Sequence, residues 1–323
     1  MSFQVFKTKY QQVISTKSIA VHVKADFGGS LPSYDDFTRN ETQRLLELDD
    51  VLGLKTETED YYWLRSGCPT IFVEDKNLIN ELYNAKYEPK HNALVSAPFP
   101  VFSFCFPSGL VVDGELIPPC LVSLNNGAFI SEQMMKPFIA KFTDMDGEPN
   151  YPLDETYLSF GFRVKDGSYC NKTLSLNDAL DIVNEKNELI SFATTMYDQS
   201  LTDSENKTIR ILNKLILGLL IYHSATEGKG LVKGFPKSTL KLPKNASRVS
   251  YDGCILGKAD FPTSKSSDDP EPNYKILKRD AYYRNLQNER YYRGKHANTP
   301  RNSRWIYVRG FDRELDEYTQ NKL

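Results

Sequence analysis

Two carboxylates and a lysine have the types and the order of a metal-dependent nuclease site. Asp60 lies fourteen residues before Glu74. Glu74 opens an acid-x-Lys motif that ends at Lys76 and directly follows Thr70–Val73, a segment whose composition predicts a β-strand. Many nucleases use such carboxylates and a lysine to bind Mg²⁺ and to stabilise charge on a phosphate. The same motif is common at exposed turns. A nuclease that uses Asp60, Glu74 and Lys76 is therefore an alternative function.

The histidines and cysteines do not have the spacing of a metal or redox site. The four His residues fit no H-E-x-x-H motif, and the five Cys residues form no C-x-x-C pair. Residues 253–259 (GCILGKA) are one residue short of a phosphate-binding loop and lack its Ser or Thr. We therefore predict no catalytic residue, no metal and no cofactor, and favour a binding protein over an enzyme. The four His and five Cys residues that lack such spacing are His22, His91, His223, His296, Cys68, Cys105, Cys120, Cys170 and Cys254.

The isolated Cys residues and the distribution of apolar residues indicate in which cellular compartment the protein is found. Scattered single Cys residues are typical of a reducing environment. The N-terminal segment MSFQVFKTKYQQV has no apolar stretch of the kind found in signal peptides. The longest apolar run, Ile209–Tyr222, is too short to cross a bilayer. We therefore expect a cytoplasmic protein without a membrane partner.

The net charge of −2 conceals two regions of opposite sign. Residues 1–228 contain 20 basic and 31 acidic residues, whereas residues 229–313 contain 19 basic and 8 acidic ones. This asymmetry predicts an acidic body, 1–228, and a basic, aromatic-rich C-terminal region, 229–323, that either forms a separate unit or packs on the body as one domain. A basic region of this kind favours a polyanion partner or an acidic protein surface.

The C-terminal region carries the strongest functional signal. Between Lys275 and Arg313 there are eleven basic residues, three acidic ones and seven aromatic ones. Basic side chains neutralise phosphates and planar rings stack on unpaired bases, so RNA is one predicted partner. Tyr, Trp and Arg also dominate protein interfaces, and a folded subdomain with its rings turned inward is a third interpretation. The candidate partner- or nucleic-acid-binding residues are Tyr291, Tyr292, Arg293, Lys295, Arg301, Arg304, Trp305, Tyr307 and Arg309.

Local patterns predict an α+β protein that contains a mixed, hairpin-rich antiparallel sheet, a buried central helix and an irregular basic C-terminal region. A capping box, Thr202-x-x-Glu205, precedes an almost entirely apolar stretch, which predicts that this helix is buried in the core. Strands are predicted at Ser18–Val23, Tyr61–Leu64, Thr70–Val73, Val101–Phe106, Leu158–Val164 and Arg304–Val308. Helices are predicted from Ser33 to a stop at Gly53, at Asn77–Ala85, from Ser175 to Val183, after Thr202, and at Tyr274–Arg293.

Three segments resemble a known family. Leu215–Tyr222 (LILGLLIY), Lys233–Pro236 (KGFP) and Pro243-Lys244 look like the pattern of a phage- and plasmid-encoded anti-CRISPR family that acts against type V-A effector nucleases by lowering their production. The resemblance covers about residues 98–308. Tyr291–His296 (YYRGKH) and Arg304–Val308 (RWIYV) correspond to the Arg- and aromatic-rich C-terminal stretch of the family.

The resemblance implies a non-catalytic adaptor that inhibits host CRISPR defence. Such a protein would recognise the nascent N-terminal peptide of the effector nuclease and promote the loss of its mRNA. A second surface would contact RNA or a ribosome-associated complex. The family pattern assigns no individual binding residue to this sequence, so the candidate residues given above rest on their chemistry alone.

Overall fold

The computed structural model describes residues 2–88, 92–143, 153–163, 169–184, 202–241, 251–259, 274–279, 281–308 and 311–315. These residues form an α+β fold in which helices cover both faces of a seven-stranded sheet. The strands are β1 (Ser2–Gln4), β2 (Pro69–Phe72), β3 (Lys86–Glu88), β4 (Val101–Cys105), β5 (Val111–Val112), β6 (Glu115–Leu116), β7 (Cys120–Asn126), β8 (Thr156–Arg163), β9 (Tyr169–Ser175), β10 (Leu231–Lys233), β11 (Thr239–Lys241), β12 (Asp252–Leu256), β13 (Tyr274–Arg279), β14 (Tyr282–Leu286), β15 (Arg304–Val308) and β16 (Phe311–Leu315).

In chain order, most α-helices of the described residues fall between two strands of the large sheet. A π-helical turn, Ile130–Met135, joins the helices Gly127–Phe129 and Lys136–Phe142, and two 3₁₀ turns, Glu289–Tyr292 and Gly294–His296, lie between β14 and β15. The α-helices are α1 (Lys9–Ser15), α2 (Lys17–Asp26), α3 (Tyr34–Glu47), α4 (Val51–Arg65), α5 (Lys76–Asn84), α6 (Gly127–Phe129), α7 (Lys136–Phe142), α8 (Leu176–Asn184) and α9 (Asp203–Ala225).

The large sheet is mixed. Its strand order is β10-β12-β2-β4-β7-β8-β9, in which β12, β2 and β4 run parallel and every other neighbouring pair is antiparallel. The antiparallel β4-β7-β8-β9 half confirms the predicted hairpin-rich antiparallel sheet. The described residues also form four smaller sheets: β15-β14-β3, β1-β11, β13-β16 and β5-β6.

Alternation along each strand divides the core into two layers. In β8, Leu158, Phe160 and Phe162 are buried in the layer that contains α5, α8 and α9. The opposite face of the sheet packs against α4 and α7. Because successive side chains of a strand point to opposite faces, this pattern gives the sheet a helical layer on each side.

Helix α9 is the central helix of the first layer, as its sequence predicts. The Thr202 hydroxyl accepts a hydrogen bond from the backbone N–H of Glu205, and the Glu205 side chain accepts one from the N–H of Thr202. This reciprocal cap satisfies two N–H groups at the start of the helix. The apolar residues Ile209–Tyr222 follow, and most of them are fully buried.

Residues beyond position 228 contribute strands to sheets built by the body. Strand β12 lies between β10 and β2 in the large sheet, and β14 pairs with β3. Strand β11 pairs with β1 at the beginning of the chain. The change in charge near residue 228 therefore does not coincide with a boundary between sheets.

The strand predicted at Ser18–Val23 is wrong, because these residues lie in α2. Ile19, Val23 and Phe27 are half-buried, which is the four-residue spacing of one helical face. The alternation of Ile19, Val21 and Val23 suggested a strand, but Val21 is 65% exposed. The exposed Val21 therefore gave the helical stripe of Ile19, Val23 and Phe27 the appearance of strand alternation.

The strand predicted at Tyr61–Leu64 and the helix stop predicted at Gly53 are both wrong. Helix α3 ends at Glu47, and a second helix, α4, includes Gly53 and continues to Arg65. Asp50 caps α4 by accepting a hydrogen bond of 2.8 Å from the Gly53 N–H. A Cβ atom at Gly53 would lie 2.5 Å from Leu45 Cδ2, so the glycine permits the close approach of two helices rather than ending one.

The basic helix predicted at Tyr274–Arg293 is also wrong. Its residues form β13, β14 and a 3₁₀ turn. In β14, Tyr283 and Asn285 are buried and Arg284 between them is exposed. This two-residue period is typical of a strand with one buried face.

All five Cys residues are free and buried. Within the described part of the chain, no helix combines the length and apolar composition needed to cross a bilayer.

Candidate functional site

The candidate residues of the C-terminal region lie on the three-stranded sheet β15-β14-β3 and on the turns between β14 and β15. Register pairs Tyr283 with Tyr307 and Asn285 with Trp305 across β14 and β15. On the other side, Tyr283 pairs with Tyr87 of β3. These five side chains share one face of the small sheet, since alternate residues of paired strands point the same way.

That face is packed against the core. Trp305 is 3% exposed, and its Nε1 donates a hydrogen bond of 2.8 Å to the carbonyl oxygen of Leu94. The rings of Tyr283 and Tyr307 lie 5.1 Å apart, and Tyr283 and Tyr87 are buried in the layer that contains α9. Trp305 and Tyr283 therefore hold the small sheet on the body and are not available to stack on a base.

Tyr292 is buried as well and anchors the first 3₁₀ turn. Its hydroxyl donates a hydrogen bond of 2.5 Å to the carbonyl oxygen of Leu286 and accepts one of 3.4 Å from the backbone N–H of Arg304. The guanidinium of Arg304 donates to the carbonyl oxygen of Tyr291. The turn is thus tied to both strands that flank it.

Four cationic side chains on these turns face outward: Arg290, Arg293, Lys295 and Arg301, which we call the basic surface. Arg290 stacks on the Tyr291 ring at 4.7 Å and donates a hydrogen bond of 2.6 Å to its hydroxyl. Arg301 forms an ion pair of 3.2 Å with Glu289. Arg293 and Lys295 have no ion pair with any described residue, so their charges are exposed to solvent.

The charged residues around the basic surface are almost all positive. Residues 281–308 contain six Arg or Lys residues and one acidic residue, Glu289. Burial lowers the pKa of His296, and the neighbouring charges of Arg304 and Lys295 lower it further, against the attraction of Glu227. His296 is therefore neutral near pH 7, and the excess positive charge on this surface comes from arginine and lysine.

The structure thus separates the described predicted residues into three groups. Arg293, Lys295 and Arg301 are exposed, and Tyr291, Arg304 and Tyr307 are partly buried. Tyr292 and Trp305 are buried and structural. Arg309 lies outside the described residues.

The three residues of the predicted nuclease site lie in different environments. Asp60 is 1% exposed within α4, and its Oδ2 accepts a hydrogen bond of 2.9 Å from the backbone N–H of Lys9. Glu74 follows β2, where Ser238 lies within 3.5 Å of it, and Lys76 is the first residue of α5. In the described part of the chain, no three His, Cys, Asp or Glu side chains are placed to share a metal ion.

Asp60 belongs instead to a run of buried polar residues that sequence reasoning missed. All six residues of α4 from Lys55 to Asp60 are at most 7% exposed. Lys55 forms an ion pair of 2.5 Å with Glu59, and Glu59 also accepts a hydrogen bond of 3.2 Å from Ser159 of β8. Buried charges of this kind are tolerated when paired and hydrogen-bonded.

The carboxyl group of Asp60 is the least satisfied member of this cluster. Burial raises the pKa of Asp60 to about 7, in spite of the favourable charge of Arg163. Its Oδ1, the hydroxyl of Tyr169, and Nε and Nη2 of Arg163 have no hydrogen-bond partner among the described residues. The Arg163 guanidinium lies 4.1 Å from the centre of the Tyr169 ring.

Gly161 of β8 leaves space for the Tyr169 side chain on the surface of the sheet. A Cβ atom at position 161 would overlap the hydroxyl group of Tyr169. The sequence signal was a glycine inside an otherwise regular strand, which often marks the close approach of another group.

Comparison of the chain with protein-family profiles, with curated protein sequences and with solved structures gave no match.

Proposed function

We propose that this chain is a non-catalytic binding protein that contacts RNA through the basic surface. The observation that carries the proposal is the exposure of Arg293 and Lys295, which have no ion pair among the described residues. Both follow closely after a turn that Tyr292 and Arg304 tie to β14 and β15. Unpaired, exposed cations release counterions from a phosphate backbone when they bind it, and this release drives association.

The anchoring of the turns supports the same proposal. Tyr292 and Arg304 hold the first turn through side-chain hydrogen bonds to the backbone. A surface that is already ordered loses less conformational entropy when it binds. Short cationic turns of this kind are therefore better prepared to bind phosphates than a flexible basic tail.

RNA is favoured over a hydrophobic protein partner by the placement of the aromatic residues. Trp and Tyr are among the residue types that dominate protein interfaces, but Trp305 and Tyr292 are buried here. The stacked pair Arg290–Tyr291 remains near the surface, and such a pair offers a planar group to an unpaired base. Phosphate contacts then supply most of the affinity, and binding depends little on sequence.

The resemblance to the anti-CRISPR family adds the biological target to the proposal. Under this hypothesis, the chain acts in the host cytoplasm and recognises the nascent N-terminal peptide of a type V-A effector nuclease. It then promotes the loss of the mRNA that is being translated. The basic surface would contact that mRNA or the ribosome-associated complex. The peptide would bind elsewhere on the molecule.

The test is affinity purification of the tagged chain, after ultraviolet crosslinking, from cells that express a type V-A effector nuclease. We expect the nuclease mRNA and the nascent nuclease peptide to be enriched with the unmodified chain. Arg293→Glu with Lys295→Glu should reduce the crosslinked RNA by about tenfold or more, since two phosphate contacts become repulsive. The matched control is Lys17→Glu with Lys24→Glu on α2, where both lysines are exposed.

Three results are decisive. Equal RNA recovery from both double variants would overturn the role of the basic surface. Recovery of RNA without enrichment of the nuclease message or peptide would remove the CRISPR target and keep the RNA-binding function. No crosslinked RNA from the unmodified chain would overturn RNA binding altogether.

A further inference from the structure

The small sheet β15-β14-β3 has a second face, which points away from the core. Successive residues of a strand point to opposite faces, so the residues on either side of the buried Tyr283 and Trp305 point outward. We call this side of the sheet the outer face. Its central residues are Lys86, Glu88, Tyr282, Arg284, Ile306 and Val308.

An apolar strip crosses the outer face. Ile306 is 36% exposed, and Val308, the next residue of β15 on this face, is half-buried. Register pairs Val308 with Tyr282, whose ring is also half-buried. These three side chains lie on paired strands of a sheet, so they present a flat apolar area of the kind on which a planar ring can stack.

Positive charge flanks the apolar strip. Lys86 and Arg284 are exposed on the outer face, together with one carboxylate, Glu88. Arg284 Nε lies 3.5 Å from Glu88 Oε2, and both side chains are about half exposed. Surface ion pairs of this kind contribute little to stability. A phosphate can therefore replace the Glu88 carboxylate as the partner of Arg284 at little cost.

The outer face adjoins the basic surface. Arg304 lies at the end of the outer face, where register pairs it with Leu286, and its guanidinium donates to the carbonyl oxygen of Tyr291. The Leu286 carbonyl oxygen accepts a hydrogen bond from the Tyr292 hydroxyl. The first 3₁₀ turn therefore borders the outer face, and the stacked pair of Tyr291 with Arg290 lies next to it.

We infer that the outer face is the base-binding platform of the RNA site, so that the chain binds single-stranded RNA in preference to duplex RNA. Unpaired bases stack on the strip around Ile306, and the phosphates lie toward Arg284 and the basic surface. Sheet faces that bind RNA in this way hold two or three bases. The bases of a duplex are stacked inside it, so a duplex offers nothing to the apolar strip. The inference rests on the proposed RNA binding and adds the class of RNA and the position of its bases.

The experiment is fluorescence anisotropy of the full chain with a labelled oligouridine, alone and annealed to an oligoadenosine of the same length. We expect the single strand to bind at least about fivefold more tightly than the duplex, because stacking contributes about 1–3 kcal/mol for each base. Ultraviolet crosslinking of the oligouridine, followed by mass spectrometry, should place crosslinks on Tyr282.

Two substitutions of Ile306 test the platform in opposite directions. Ile306→Asp should weaken binding of the single strand by about tenfold or more, since it removes the apolar contact and adds a repulsive charge. Ile306→Phe should tighten it by about threefold or more, because an aromatic ring stacks better on a base. The matched control is Val21→Asp on α2, where the valine is 65% exposed. It should leave the affinity unchanged.

The outcomes separate the platform from RNA binding itself. Equal affinities for the single strand and the duplex, or an unchanged single-strand affinity in both Ile306 variants, would overturn the inference. If Arg293→Glu with Lys295→Glu still weakens binding in that case, the proposed function of the basic surface stands. An unmodified chain that binds neither RNA would overturn both.

Discussion

Trp305 donates a hydrogen bond from its Nε1 to the carbonyl oxygen of Leu94, a residue 211 positions earlier in the chain. The indole is 3% exposed and packs against the layer that contains α9. We expect Trp305→Ala to lower the free energy of unfolding by about 3–5 kcal/mol, since it leaves a cavity and an unpaired carbonyl group. Urea denaturation followed by circular dichroism measures this change.

The neighbouring residue provides the control. Ile306 points to the outer face of the small sheet and is 36% exposed. Ile306→Ala should change the free energy of unfolding by less than about 1 kcal/mol. Equal effects of the two substitutions would contradict the inward packing of Trp305.

Asp60 gives the fold an unusual dependence on pH. Burial raises its pKa from an ordinary value of 3.8 to about 7. Between these values the folded state retains a proton that the unfolded state has lost, so this group lowers the free energy of unfolding as the pH rises from about 4 to about 7. Above pH 7 its unfavourable contribution is complete and constant.

Asp60→Asn removes this titration. We expect the free energy of unfolding of the variant, relative to the unmodified chain, to increase from pH 4 to pH 7 and to level off above pH 7. Urea denaturation at intervals of pH measures the difference, and a difference that is flat with pH would show that Asp60 titrates normally. Glu57, Glu59 and Arg163 interact with Asp60, so the difference reports the titration of Asp60 together with its coupling to these groups.

Gly161 is expected to tolerate no side chain. A Cβ atom there overlaps the Tyr169 hydroxyl, and Tyr169 is packed between the sheet and the Arg163 guanidinium. Gly161→Ala should destabilise the protein by about 1–3 kcal/mol, as overpacking of a core does. Gly257→Ala is the matched control, because nothing lies within 4 Å of a Cβ atom at that position. A neutral Gly161→Ala would contradict the position of Tyr169.

The salt dependence of RNA affinity indicates how many phosphate contacts the basic surface makes. Replacing Arg293 and Lys295 by Gln removes two positive charges without reversing them. The slope of the logarithm of affinity against the logarithm of salt concentration should become shallower by about 1.4, which is about 0.7 for each contact to single-stranded nucleic acid. Fluorescence anisotropy with a labelled oligouridine measures the slope. An unchanged slope would mean that neither residue contacts a phosphate.

The sequence predicted the elements whose signals are local. The capping box at Thr202 and Glu205 identified the start of α9, and the clean alternation from Leu158 to Phe162 identified β8. The strand at Arg304–Val308, with Trp305 and Tyr307 on one face, was also predicted. Each of these signals lies within a few residues of the chain.

Features that depend on distant partners were not predicted. Nothing in the run Lys55–Asp60 indicates burial, because its stability comes from Lys9, Ser159 and other residues far away in sequence. The pairing of β14 with β3 depends on residues almost 200 positions apart. The basic, aromatic-rich C-terminal region was recognised by composition, but only tertiary packing decides that Trp305 faces inward and Arg293 outward.

The position of β12 has a consequence for the order in which the protein forms on the ribosome. Asp252 pairs with Pro69, so β2 receives its outer neighbour only after roughly 180 further residues have been synthesised. At about 5–20 residues per second, this interval lasts on the order of 10–40 s. During translation, this edge of β2 therefore has no strand partner until β12 is made, and it is accessible to a chaperone or to a neighbouring nascent chain in that interval.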